Sequence, residues 1–302
     1  MDRFYDKINA SVKLEELASA RRNALKARNS KCTVHLADIE LQDVDVRMLV
    51  QGKKTWRLCV PDEEGDVNDE VVVRMQGILT KNNLVPRNVQ TCAPNRAQFL
   101  TQHVEVCGLD TSTFTDSMAR LESIKERFAQ QLAGLEVAPM VEPTEVDKFV
   151  ASNRVFSLKT DVPCEQDNFF EDGVDSAGLL HKLKRSELIH APENIVKYFR
   201  KKTVDEMNIV YAPFYPGGFQ IGDLVELQVS FVAISVNKSI VKITTRLQAV
   251  TLLDNKFSQE ASIARAVAAL RQTNVAMRRK VGYFAEDEEE DRKFKKQRTA
   301  KR

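Results

Sequence analysis

Between Asp223 and Asp254 apolar and polar residues alternate with a period of two. In DLVELQVSFVAISVN, Val225, Leu227, Val229, Phe231 and Ala233 fall on one face, with Glu226, Gln228 and Ser230 on the other. In KSIVKITTRLQAVTLLD, Val241, Ile243, Thr245, Leu247 and Ala249 lie together, with Lys242, Thr244, Arg246 and Gln248 opposite. Successive strand side chains point to opposite faces, so both runs predict long strands, joined near Asn237-Lys238. Strands well beyond the usual length of about five or six residues twist and curl, which favours a small barrel or a strongly bent sheet.

Elsewhere the period changes. Residues 13–29 carry Leu14, Leu17, Ala18, Ala24 and Leu25 at helical spacing, as do Phe114, Met118, Leu121, Ile124, Phe128, Leu132 and Leu135 within 114–135. Both segments predict amphipathic helices. A third helix is predicted over about 258–281, with Ile263, Val267, Leu270, Met277 and Val281 as its stripe. CTVHL, VDVRMLV, TWRLCV and EVVVRM read as short strands separated by turn signals. LLHKLKRSEL and APENIVKYFRKK read as helical pieces, Pro192 fitting the first turn of the second. The predicted organisation is a helix and β-rich region at 1–110, a helical middle and linker at 111–153, a hairpin-centred region closed by a helix at 154–284, and a charged tail at 285–302.

Composition narrows the class. The 302 residues are 43% hydrophobic, ordinary for a globular chain with a buried core. No apolar run approaches the roughly 18–20 residues that span a bilayer, and no secretory h-region opens the chain, so a nuclear or cytoplasmic location is expected. Five scattered cysteines, none in a CxxC pair, fit reduced thiols. Cys92, His103 and Cys107 lack the spacing of a zinc site. No nucleotide-binding, hydrolase or metalloprotease motif is present, and the four histidines have no evident partner. No catalytic residue, metal or cofactor is therefore assigned.

Charge supplies the remaining signal. The net charge is only +2, but acidic and basic residues are segregated. KYFRKK interleaves Tyr198 and Phe199 with Lys197, Arg200, Lys201 and Lys202. A single nucleic-acid strand needs phosphate neutralisation and π-faces for its bases, and this segment offers both. An amphipathic helix end with core aromatics and solvated lysines is the competing reading. Lys242 and Arg246 add positive groups to the polar strand face. Tyr211, Phe214 and Tyr215 crowd the YAPFYPGGF turn nearby, either as stacking platforms or as corner packing. The last residues, AEDEEEDRKFKKQRTAKR, cannot bury apolar area and are expected to be disordered. Their basic half, with Arg292, Lys293, Lys295, Lys296, Arg298, Lys301 and Arg302, has the composition of a nuclear-localisation signal.

The block GDLVELQVSFVAISVNKSIVKITTRLQAVTLL resembles the long curled hairpins of oligonucleotide-binding (OB) folds, which single-stranded DNA-binding proteins of large viruses and mobile elements use. The PGGF-x-x-GDLVE entry also resembles uncharacterised fungal sequences. The OB resemblance implies an extended strand bound across a sheet, with aromatics on bases and Lys or Arg at phosphates. Here the hairpin's polar face has no aromatic, so Tyr198, Tyr211, Phe214, Tyr215 or Trp56 would have to stack.

The expectation is thus an α+β chain with an antiparallel, barrel-like (OB-like) sheet, packed helices and a disordered charged tail. Its expected function is non-enzymatic, sequence-tolerant binding of single-stranded DNA in preference to RNA, in replication or recombination of a viral or mobile element. An oligomeric interaction protein without nucleic-acid binding is the alternative. An enzyme with a dispersed site ranks third.

Overall fold

The computed structural model describes residues 1–49, 54–61, 68–85, 92–132, 134–138, 147–162, 166–171, 173–205, 208–237 and 239–273. In chain order it begins with α1 (Lys7–Arg28), β1 (Thr33–His35), β2 (Asp45–Leu49), β3 (Thr55–Pro61), β4 (Asn68–Glu70), β5 (Val72–Asn83) and β6 (Thr101–Cys107). Then come α2 (Ser112–Gln131), β7 (Glu136–Ala138), β8 (Lys148–Arg154), β9 (Ser157–Leu158), α3 (Leu179–Leu183) and β10 (Leu188–Ile189). The last are β11 (Lys197–Asp205), β12 (Asn208–Pro213), β13 (Leu224–Ser235), β14 (Ile240–Asp254) and α4 (Lys256–Thr273). The chain divides into a unit Met1–Ala261, which holds every described strand, and a unit Ser262–Arg302, of which residues 262–273 are described.

The sheet overturns the OB expectation. Among the described residues twelve strands form one mixed sheet, along the path β12-β11-β14-β8-β6-β5-β13-β3-β2, with β1, β4 and β7 attached to its sides. This is not the small antiparallel barrel expected from the hairpin, and the OB-fold assignment, with the DNA-binding mode it implied, is withdrawn. The length of β13 and β14 has a different cause. Each serves several short strands end to end: β13 pairs with β14, β5 and β3, and β14 with β13, β11, β8 and β7. Because β13 and β14 also pair with each other, the pairing path returns on itself through β5, β6 and β8.

The period-two faces place the core. Val225, Leu227, Val229, Phe231 and Ala233 are all fully buried, together with Leu247, Val106, Phe149 and Phe156. α2 lays Phe114, Leu121, Ile124 and Phe128 on this core. Its start has no side-chain cap of its own. Instead Glu15 of α1 accepts hydrogen bonds from the Thr113 amide (3.2 Å), the Thr113 hydroxyl (2.6 Å) and the Ser112 hydroxyl (2.9 Å). One helix thereby satisfies an orphan N–H group of another. α1 starts at an Asp6 cap, accepts from the Asn9 amide, and ends on left-handed Asn29.

A second apolar cluster joins Tyr5, Leu14, Ile78, Leu224 and Phe257. There the Tyr5 hydroxyl donates to the Gly222 carbonyl (2.8 Å). Gly222 has φ +97°, and a Cβ on it would lie 2.8 Å from the Tyr5 ring, so the GD step before β13 requires glycine on both counts.

The APENIVKYFRKK segment is not helical. Pro192–Asn194 form one 3-10 turn, and the basic run is strand β11. Its period-two burial (Lys197 exposed, Tyr198 buried, Phe199 half-buried, Arg200 exposed) was masked by lysines, whose long aliphatic stems sit on either face. The predicted disordered tail lies outside the described residues.

Candidate nucleic-acid interface

β11 and β12 form an antiparallel hairpin at one end of the sheet, with Lys201 opposite Tyr211 and Lys202 opposite Val210. Strand alternation puts Lys197, Phe199, Lys201 and Tyr211 on one face, and Tyr198, Arg200, Lys202 and Phe214 on the other. Lys197, Arg200 and Lys202 are exposed, and no ion pair among the described residues engages them or Lys201. Tyr211 is 38% exposed and Tyr215 57%.

On the first face α1 adds charge. The Arg21 guanidinium lies 5.6 Å over the Tyr211 ring, within cation–π range. Burial, then the neighbouring Lys13 ammonium, pushes the Lys201 pKa below its ordinary value. Like charges crowded beside a ring are a physical invitation to an anion. On the second face Arg200 sits 5.9 Å over Phe214, whose ring packs edge-on against Phe219 at 5.2 Å.

Beneath the first face lies a closed ionic cluster. Glu226 takes two bonds from Arg21 (2.8 and 3.1 Å), one from Arg74 (2.7 Å) and one from the Gln76 amide (2.6 Å). The Gln76 carbonyl oxygen meets His35 Nε2 at 2.8 Å, and His35 Nδ1 accepts from the Ala37 amide. This fixes the tautomer with the proton on Nε2. The sequence places Glu226 on the polar face of its strand, and there it is 1% exposed, because α1 and Arg74 cover it. A signal existed: Arg21 falls in the 14-18-21-25 stripe of α1, where an apolar residue is expected.

Further along the same sheet face is a crevice of about 240 Å³, lined by Arg57, Arg246, Glu193, Thr244, Ser152 and Ile234 among others. One Glu193 oxygen accepts from both Arg57 (2.7 Å) and Arg246 (2.5 Å). Burial raises the Glu193 carboxyl, but the two guanidiniums outweigh it and hold it below its ordinary range. Arg57 and Glu193 carry no sequence motif.

The structure therefore separates the predicted site residues. Lys197, Arg200, Lys201, Lys202 and Tyr211 gather on the hairpin, with Phe214 and Tyr215 at its base. Phe199 is half-buried. Tyr198 is 3% exposed, its hydroxyl donating to the Gln102 side chain, so its ring packs in the core. Arg246 is held by Glu193. It lies seven residues of β14 from the level of Lys201, roughly 23 Å at about 3.3 Å per residue. Lys242 is exposed further along β14. Trp56 is half-buried against the core. The residues Arg292, Lys293, Lys295, Lys296, Arg298, Lys301 and Arg302 lie outside the described residues.

No family model matches the sequence, and no curated protein matches it. Among the described residues no helix is long and apolar enough to cross a membrane.

Proposed function

We propose that the chain binds single-stranded nucleic acid, DNA in preference to RNA, without sequence preference, on the β11–β12 hairpin. One observation carries this reading. Lys197, Arg200, Lys201 and Lys202 have no carboxylate partner among the described residues, the exposed Tyr211 ring stands beside Lys201, and the exposed Tyr215 ring lies at the hairpin's base. Unpaired cations neutralise phosphates, and exposed rings stack on any base, so the combination suits a strand and tolerates its sequence. The reading rests on this surface alone and borrows nothing from a barrel. Replication or recombination of a viral or mobile element is a setting such a binder would serve.

Fluorescence anisotropy of a labelled oligonucleotide at several salt concentrations tests it. Affinity should fall steeply with salt, with a log–log slope of about −0.7 per neutralised phosphate. Absence of binding at low salt overturns the proposal. The reading also places the protein in the nucleus through its basic C-terminal run. Removing residues 292–302 should shift a fluorescent fusion out of the nucleus, and an unchanged distribution goes against that placement.

A further inference from the structure

We propose that β12 is a dimerisation strand, pairing antiparallel with β12 of a second copy about a twofold axis at Val210. The inference is independent of nucleic-acid binding.

The two ends of the sheet differ. At one end β2 carries Asp45 and Arg47, which pair with each other at 2.9 Å, and Arg127 of α2 reaches Asp45 at 3.3 Å. Charges on an edge strand discourage pairing with another chain. At the other end β12 reads NIVYAP, with no charged residue, and among the described residues it pairs only with β11. Ile209, Val210 and Tyr211 are 51%, 48% and 38% exposed, so both faces of this strand are accessible over three consecutive residues, with Arg21 of α1 reaching over the Tyr211 ring.

The hydrogen-bond parity of the edge follows from one contact. The Phe214 amide donates to the Tyr198 carbonyl at 3.0 Å, which makes Tyr198–Phe214 a hydrogen-bonded pair. Bonded and non-bonded pairs alternate in an antiparallel ladder, so Arg200–Ala212 and Lys202–Val210 are bonded and Lys201–Tyr211 and Thr203–Ile209 are not. The N–H and C=O groups of Ile209 and Tyr211 therefore point out of the sheet. Pro213, which has no N–H, falls on the same outward parity, where its lack costs β11 nothing.

A second copy fits this edge in one register. Pairing Ile209 with Tyr211 of the partner, and Tyr211 with Ile209, uses all four outward donors and acceptors and sets Val210 against its own twin. The three central cross-strand pairs, Ile209–Tyr211, Val210–Val210 and Tyr211–Ile209, are then β-branched or aromatic, a favourable kind. Self-pairing also sets each side chain against the same neutral strand, so no like charges meet directly. The Arg21 guanidinium that lies over Tyr211 is paired with Glu226, which leaves the unpaired charges of the two β11 strands. Their lysines are three strand spacings apart, about 14 Å, beyond the Debye length of about 8 Å at physiological ionic strength.

Sedimentation of the full chain without nucleic acid tests the proposal. The mass should rise with concentration from 34.2 kDa toward twice that value, and more readily at high salt. Nucleic-acid binding has the opposite salt dependence, so the two proposals fail separately. Of the backbone groups, Tyr211→Pro and Ile209→Pro remove only outward N–H donors, and both should hold the mass at one chain while the melting curve stays cooperative. Val210→Cys should form an intermolecular disulfide on oxidation that the unaltered chain, with its own five cysteines, does not form. A chain that stays monomeric at every concentration overturns the proposal and leaves the edge to an extended peptide of another protein. A dimer that persists in both proline variants overturns it equally, since its interface then lies elsewhere.

Discussion

Two basic clusters lie close together, one around Glu226 and one on the β11–β12 hairpin, and they behave oppositely. Around Glu226, Arg21 and Arg74 are 12% and 16% exposed and spend their charge on a carboxylate that is 2% exposed. On the hairpin, Lys197, Arg200 and Lys202 stand in solvent with no such partner among the described residues. The first cluster fastens α1, β5 and β13 together. The second does nothing for the fold that solvent could not do. Both hold basic side chains; burial beside a carboxylate decides which is structure and which is free to meet a ligand.

The largest effect should come from breaking the closed cluster. Glu226→Ala leaves two guanidiniums under α1 without a counter-charge, and removing one member of a buried ionic set costs about 3–5 kcal/mol. That is a large part of the roughly 5–15 kcal/mol by which domains are stable. Urea unfolding should show the midpoint collapse. Replacing the three charged members with apolar residues, Arg21→Met, Arg74→Met and Glu226→Leu, should recover much of the loss, because the penalty lies in the orphaned charges. If Glu226→Ala costs less than about 1 kcal/mol, the cluster is wetter than its geometry implies.

Acidification should act on the same network next. Burial pushes the His35 pKa below its ordinary value, its bond to Gln76 only partly opposing this. Burial also lowers His190, whose Nδ1 is 2.8 Å from the Val155 carbonyl. The folded state therefore takes up these protons less readily than the unfolded chain. Their contribution is fully present above the unfolded pKa of about 6.5 and is lost as pH falls through it. Thermal midpoints should drop between pH 7 and pH 5, and His35→Gln should reduce the drop. An unchanged pH profile in His35→Gln would assign the effect to His190 or to carboxylates titrating lower.

How far the sequence carried is visible in particular residues. The alternation of β13 and the stripe of α2 were legible because apolar periodicity reports burial directly: Val225 to Ala233 and Phe114 to Phe128 are where the pattern puts them. The sheet was not legible, because partner choice is non-local: nothing in β13 says that it meets β3 beyond Val229 and β5 before it. β11 was misread as helix because Lys and Arg carry no periodic signal. The burial of Glu226 was not legible because its cover comes from Arg21, 205 positions away. The hairpin cluster was half legible: its charges and Tyr211 are together, but Tyr198 turned inward.

The smallest effect on stability should come from the open cluster, and that is what makes it diagnostic. Arg200→Ala and Lys202→Ala remove exposed side chains without ion pairs among the described residues, so each should change stability by no more than about 0.5 kcal/mol. If the hairpin holds phosphates, each should flatten the salt dependence of oligonucleotide affinity by about 0.7 in log–log slope. Lys201→Ala with Tyr211→Ala tests the opposite face, where loss of a stacked base should weaken binding by about 1–3 kcal/mol. The two pairs of variants divide the hairpin by face, since Arg200 and Lys202 point away from Lys201 and Tyr211. A strand lying on one face responds to one pair and ignores the other. Equal losses from both would mean that the strand wraps the hairpin tip. Loss of stability without loss of binding would mean that these residues belong with Arg21 and Arg74 after all.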